Sequence, residues 1–121
     1  MKVNSYKDLI VWQKAMLLVT EVYRVTKRIP KEELYGLTNQ VRRAAVSIPS
    51  NIAEGQARKG TAEFKNFLSI ARGSLAEVET QLLIARNLQY LSESELKPLL
   101  ELHAEIGKML NSLINKLATS H

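Results

Sequence analysis

Histidines and carboxylates are the side chains of this sequence that could support acid–base or metal chemistry. There are two histidines and twelve Asp and Glu residues. His103 stands within an apolar helical pattern, where a hydrogen-bonded core or interface histidine is commoner than a catalyst, and His121 is terminal. A di-iron bundle needs Glu-x-x-His on two helices, but Leu100 lies three residues before His103. Glu77 and Glu79 are two residues apart, so a helix does not bring them to one face.

Sequence motifs of other enzyme classes are also missing. The chain has no Cys, which excludes disulfides and thiolate metal sites. It has no P-loop, no dinucleotide-binding glycine motif and no nucleophile elbow. We therefore expect a protein that is not an enzyme and that uses no metal, cofactor or small-molecule substrate. The remaining catalytic hypothesis is a nuclease built from Arg and Glu side chains.

Basic residues are the other candidates, because the net charge is +5. The first 31 residues hold seven Lys and Arg against two acidic residues, so the excess lies at the start of the chain. Such side chains could contact phosphates, although no RNA-recognition motif accompanies them; the alternative is a solvated helix surface. The candidate nucleic-acid-binding residues are Lys7, Lys14, Arg24, Arg28, Arg42, Arg43, Arg58 and Lys59.

The elements that would position these residues are helices, since the apolar spacing is helical throughout. It predicts four helices at about 5–29, 31–57, 61–91 and 92–118. Long amphipathic helices with short connections predict one all-α domain over 1–121, an antiparallel up-down-up-down four-helix bundle. No apolar run approaches the roughly 20 residues needed to span a bilayer, and no signal-peptide core is visible. We expect a cytoplasmic protein without membrane contact.

Two helices carry surfaces that a single bundle does not need. Helix one has two apolar stripes, one from Leu9 to Tyr23 and a second from Val11 to Ile29. Together they exceed one ordinary core face. Helix three has a stripe of small residues opposite its seam. The alternatives are a broad seam on helix one and a solvent face on helix three. The candidate subunit-interface residues are Val11, Leu18, Val22 and Val25, with Ser69, Gly73, Ala76 and Thr80.

Helix two combines a proline in its interior with a polar stripe along one side. Pro49 removes one backbone hydrogen bond and kinks the helix. The polar stripe is either a recognition surface or a network that satisfies itself and shapes the kinked helix, and the spacing favours the network. The residues of this structural motif are Ser47, Pro49, Asn51, Glu54 and Gly55.

The segment that contains this motif resembles the central motif of a known bacterial family. It reads QVRRAAVSIPSNIAEG over residues 40–55, with Arg58 after it. It is similar to the 23S ribosomal RNA intervening-sequence proteins, also called the four-helix-bundle protein family. YKDLIVWQKA at 6–15, ELYGLT at 33–38 and residues 64–79, which include ARGSL, are similar to other parts of that family.

The resemblance implies an antiparallel bundle, assembly into rings of five and no established catalytic residues. Family members are encoded within insertions in some bacterial 23S rRNA genes and also elsewhere, and their molecular function is poorly defined. The leading hypothesis is therefore a homo-oligomer, most simply a pentamer, that binds RNA or another nucleic acid through its basic surface. The alternatives are a scaffold that binds a protein partner, and an rRNA-processing nuclease.

Overall fold

Four α-helices account for most of the chain in the computed structural model, which describes residues 5–119. They are α1 (Ile10–Thr26), α2 (Leu37–Ala57), α3 (Thr61–Asn87) and α4 (Glu93–Thr119). Short 3-10 helices at Tyr6–Asp8 and Lys31–Glu33 precede α1 and α2. The predicted all-α bundle of four helices is confirmed; His121 and the first four residues lie outside the described part.

Each helix packs against two others, so that α1 and α3 both contact α2 and α4. The residues that meet across these contacts run in opposite order along the paired helices, as in antiparallel neighbours. Successive contacts show this order in three of the helix pairs: Lys14 with Glu105 and Arg28 with Glu95, Ser47 with Ser74 and Gly55 with Phe67, and Arg72 with Asn111 and Leu75 with His103.

The first helix is shorter at both ends than the predicted 5–29. The hydroxyl of Ser5 accepts a hydrogen bond from the Lys7 N–H at 3.1 Å, which caps a 3-10 turn rather than α1. Leu9 is extended, with φ −78° and ψ 123°, so α1 starts only at Ile10. At the other end, 3-10-type hydrogen bonds bring the chain from α1 to Pro30, whose ring cannot continue a helix.

The second helix begins at Leu37 instead of residue 31, because a 3-10 turn comes first, followed by a turn in which the Gly36 N–H donates to the Glu33 carbonyl at 2.9 Å. Leu34 is 45% exposed and Tyr35 is 91% exposed in this connection. A carboxylate oxygen of Glu33 accepts from the N–H of Leu37 at 3.3 Å. Its other oxygen accepts from the Tyr90 hydroxyl at 3.0 Å, and this hydrogen bond, with desolvation, raises the pKa of Tyr90.

The third helix ends at Asn87, four residues before the predicted boundary. Gln89 has a φ of 64°, and the N–H of Tyr90 donates to the carbonyl of Ala85 at 2.9 Å. These are the features of a Schellman ending, with Gln89 where glycine is usual. A capping box begins the fourth helix: Ser92 and Glu95 each accept from the other's backbone N–H, at 3.1 and 2.8 Å.

The core lies where the four helices face one another, and it takes the second apolar stripe of α1. Val11, Leu18, Val22 and Val25 are at most 5% exposed, so their assignment to a subunit interface is wrong. Because α1 contacts both α2 and α4, the side of α1 that faces the core lies between these two contacts. This side is centred on the second stripe. The first stripe lies at its edge, where Met16 is 44% exposed.

None of the helices formed by residues 5–119 combines the length and apolarity that a bilayer crossing requires.

Candidate functional site

A hydrogen-bonded network ties α2 to α3 beside the interior proline. The Asn51 amide donates to the backbone oxygen and the hydroxyl of Ser47, both at 2.8 Å. The Ser47 hydroxyl also pairs with that of Ser74 on α3, at 2.8 Å. Ser74 is 6% exposed, and Pro49 is buried. Ser47 and Asn51 thus use their polar atoms on one another and on α3, which fits the structural interpretation of the motif.

Gly55 marks a close approach of α2 to α3. A methyl group at this position would lie 2.6 Å from the Cβ of Phe67 and 3.1 Å from Cδ1 of Phe64, so only glycine fits without movement. One turn away, Arg58 pairs with Glu54 at 2.9 Å and lies over the Phe67 ring at 5.1 Å. Gly55 and Glu54 therefore belong to the α2–α3 contact and its edge.

The eight predicted cations do not form one continuous track. On α1, Lys14 pairs with Glu105 at 3.3 Å and Arg24 pairs with Glu21, while Arg28 pairs with Glu95 just beyond the helix. Lys14 joins α1 to α4, and Arg28 joins the connection after α1 to α4, so the predicted basic side of helix one faces acidic side chains. Exposed pairs of this kind add little stability, but they lower the charge available to a phosphate.

Arg42 also has a structural role. Its Nε donates to the Thr26 hydroxyl at 2.9 Å, and its guanidinium lies 4.7 Å from the centre of the Tyr23 ring. These contacts join the start of α2 to the end of α1. Of the eight cations, the exposed ones that make no ion pair with any described residue are Lys7, Arg43 and Lys59.

The charge is nevertheless unevenly distributed between the two halves of the bundle. Residues 5–60, which include α1 and α2, contain ten Lys and Arg against five Asp and Glu. Residues 61–119, which include α3 and α4, contain six against seven. Since α1 packs directly on α2, one side of the molecule is basic and the other is nearly neutral.

A polar groove of about 510 Å³ lies between α2 and α3 on the side where Arg43 is exposed. Asn39, Gln40 and Arg43 line it from α2, and Glu77 and Gln81 line it from α3. The Oε1 of Gln81 is buried without a hydrogen-bond partner. The sequence did not identify Glu77 and Gln81 as groove residues. Their i, i+4 spacing predicts that they share one face of α3, but it does not show which neighbouring helix that face meets.

Two further surfaces are exposed, one lined by apolar side chains and one made of small residues. One is a groove between α1 and α2, of about 390 Å³, where Trp12 and Met16 from α1 meet Val46 and Pro49 from α2. The other lies on α3, where the predicted small-residue stripe is outward.

On the α3 surface, Gly73, Ala76 and Thr80 are exposed and Ser69 is half-buried. A methyl group at Gly73 would have no atom within 4 Å, so the chain itself leaves this stripe open.

The one described histidine is also held structurally. The Nε2 of His103 lies 3.0 Å from the carbonyl oxygen of Leu75 and 3.9 Å from a carboxylate oxygen of Glu79. The part of the chain that the structure describes has no group of three or more acidic, histidine or cysteine side chains that could hold a metal ion.

Comparisons with known proteins agree with the fold. The family model described as 23S rRNA-intervening sequence protein matches residues 7–112. A solved structure from Bacteroides thetaiotaomicron, of a protein with unknown function from the S23 ribosomal protein family, superposes with a TM-score of 0.80 at 24% sequence identity. That match covers 87% of this chain and 98% of the other. No curated protein matches this chain at a significant level.

Proposed function

Because this chain belongs to the 23S rRNA-intervening sequence protein family, we propose that it is a non-enzymatic, self-assembling bundle that binds RNA through its basic α1/α2 half. The observation that carries the proposal is the contrast between the basic half and the nearly neutral α3/α4 half. A surface with excess positive charge attracts the RNA backbone and gains affinity by releasing counterions.

The cations that contribute most are those without an acidic partner in the described structure. Among the eight predicted residues, Lys7, Arg43 and Lys59 meet this condition, whereas Lys14 and Arg28 have to leave an acidic side chain on α4 before they bind a phosphate. Three phosphate contacts give an affinity that falls about 40-fold between 50 and 200 mM salt, from a slope of about 0.9 per contact. Assembly multiplies this modest contribution, because several copies bind the same RNA.

Self-assembly is supported by the exposed apolar surface of the α1/α2 groove and by the open small-residue stripe on α3. Exposed apolar area of this kind is typical of an interaction surface. A ring of five copies is what the family resemblance implies. The cytoplasm is the location that fits an RNA partner.

Fluorescence anisotropy with a labelled, structured RNA at 50 and 200 mM salt tests the RNA-binding part. We expect the triple variant K7E/R43E/K59E to bind much more weakly and with a smaller salt dependence than the unchanged protein. The matched control K65E/K97E/K108E reverses three charges on α3 and α4 and should have a smaller effect. Equal losses of affinity in both triple variants would contradict RNA binding through the α1/α2 half. A separate incubation of the RNA with the protein and Mg²⁺ tests the nuclease hypothesis, and we expect the RNA to remain intact.

A protein scaffold is the second candidate function, and the exposure of Tyr35 favours it. A tyrosine that is 91% exposed has no packing role within the chain and suits a protein contact as well as a base. Affinity capture from the native host, with and without ribonuclease, separates the two functions. Partners that survive ribonuclease treatment and disappear with the Y35A variant would support the scaffold.

A further inference from the structure

We infer that the α2/α3 groove binds one unpaired guanine nucleotide of the RNA, with its base edge at Glu77 and its phosphate at Arg43. The inference rests on the proposed RNA binding, and it narrows the ligand to single-stranded RNA that contains guanine.

The two walls of the groove carry complementary groups that do not satisfy each other. Arg43 on α2 and Glu77 on α3 line the same groove, yet they form no ion pair in the described structure. Arg43 and Glu77 are both exposed, so the guanidinium donors on α2 and the carboxylate acceptors on α3 are accessible to a ligand in the groove. The groove therefore suits a ligand that presents acceptors to α2 and donors to α3.

A nucleotide has this arrangement, since its phosphate accepts hydrogen bonds and its base edge donates them. A volume of about 510 Å³ is within the usual range of small-ligand pockets, about 300–1,000 Å³. Asn39 and Gln40 add amide groups to the Arg43 wall, where they can donate to phosphate or sugar oxygens.

Glu77 decides which nucleotide fits. A carboxylate repels phosphate, so this wall does not track an RNA backbone. It can accept two parallel hydrogen bonds from the adjacent N1–H and N2–H donors of guanine, a pair that adenine, cytosine and uracil lack. These donors are used in base pairing within a duplex and are accessible only when guanine is unpaired.

Tyr35 provides a second and independent indication of a single strand. It lies in the connection before α2, four residues ahead of Asn39, and it is 91% exposed. An exposed aromatic ring can bind an unpaired base by stacking, because every base has a flat face. Stacking on Tyr35 does not depend on base identity, whereas binding at Glu77 does.

The experiment measures the affinity of the full chain for four labelled 12-nucleotide RNAs. They are a uridine strand with one central guanine, the same strand with inosine in its place, an all-uridine strand and the guanine strand in a duplex. Inosine lacks the N2 amine and so removes one of the two proposed donors. We expect the guanine strand to bind about tenfold or more tightly than the all-uridine strand, with inosine between them, since a bidentate base contact discriminates against bases that lack one of its partners.

Substitutions then test whether the preference for guanine over uridine comes from the α2/α3 groove. E77A should bind the guanine and uridine strands equally, while the matched control E79A, on the same helix, keeps the preference. Y35A should weaken all single strands by a similar factor. Free guanosine monophosphate should compete only at much higher concentration than the strand, and equal competition would overturn the assignment to RNA.

Two outcomes separate this inference from the proposed function. Equal affinity for all four RNAs, or a guanine preference that survives in E77A, would overturn the groove assignment and leave general RNA binding intact. Binding to every RNA that is no tighter than that of a charge-matched control protein would overturn both.

Discussion

Gly55 and Gly73 occupy opposite environments on two neighbouring helices. A methyl group at Gly55 would lie 2.6 Å from the Cβ of Phe67, whereas one at Gly73 would meet nothing within 4 Å. We expect G55A to lower the free energy of unfolding by about 1–3 kcal/mol, because α2 and α3 have to separate. We expect G73A to raise it by about 0.5–1 kcal/mol, because alanine favours the helix and costs less backbone entropy.

Urea denaturation of the two glycine variants, with the m-value compared, measures both changes. The pair controls for the general effect of replacing glycine by alanine in a helix. Stabilisation by G55A would mean that α2 and α3 pack less closely than the structure shows.

At the scale of single residues, the sequence predicted the polar motif better than the α2/α3 groove. Ser47 and Asn51 are one helical turn apart beside a proline, so their mutual hydrogen bonding follows from local geometry. The third member of the network, Ser74, comes from another helix, and so do Glu77 and Gln81 opposite Arg43. Such pairings depend on how α2 and α3 align, which spacing within one helix does not determine.

At the scale of elements, the start of α4 combines a capping box with an ion pair. The backbone N–H of Ser92 donates to the Glu95 carboxylate, and this bond, with the Ser92 hydroxyl and Arg28, lowers the pKa of Glu95. A lowered carboxyl pKa stabilises the folded state fully above the pKa of the unfolded chain. The stabilisation is lost as the pH falls through the folded-state pKa.

The variant E95Q keeps an acceptor for the Ser92 N–H but removes the charge. We expect it to be less stable than the unchanged protein at pH 7, with the difference shrinking towards pH 3, where Glu95 is protonated as well. Urea denaturation at both pH values measures this difference. The exposed control E93Q should change stability much less, and a loss from E95Q that is the same at both pH values would contradict the role of the charge.

The lengths and rotations of the helices show where the sequence prediction stopped. Apolar periodicity identified four helices, but it extended α1 to residue 5 and α2 to residue 31, because 3-10 turns carry the same short spacing. It also could not choose between the two stripes of α1, since both are apolar. The choice depends on the positions of α2 and α4, which place Leu18 in the core and leave Met16 at the edge.

At the scale of the whole molecule, packing explains why a basic sequence does not form a basic ridge. Lys14 on α1 and Arg28 just after α1 both pair with acidic residues of α4. Unpaired positive charge is left at Arg43 on α2, in the groove that α2 forms with α3. The exposed apolar groove lies on another side of α2, between α2 and α1, so the charged and apolar surfaces are separate.

The small-residue stripe of α3 is the surface through which we expect copies to join, because small side chains let a second helix approach closely. Gly73, Ala76 and Thr80 are exposed and lie along one side of that helix. A long charged side chain in the middle of the stripe would hold a second backbone away. We therefore expect A76R to shift the protein from an oligomer, five times the mass of one chain if the ring forms, towards the monomer.

Light scattering coupled to size-exclusion chromatography measures the mass, and circular dichroism checks that the helices remain. The matched control S112R places the same side chain on an exposed position of α4 and should leave the mass unchanged. If A76R keeps the full mass while M16R becomes monomeric, copies join through the α1/α2 groove instead. In that case the RNA has to bind outside the α1/α2 groove, because the joined copies would cover that groove.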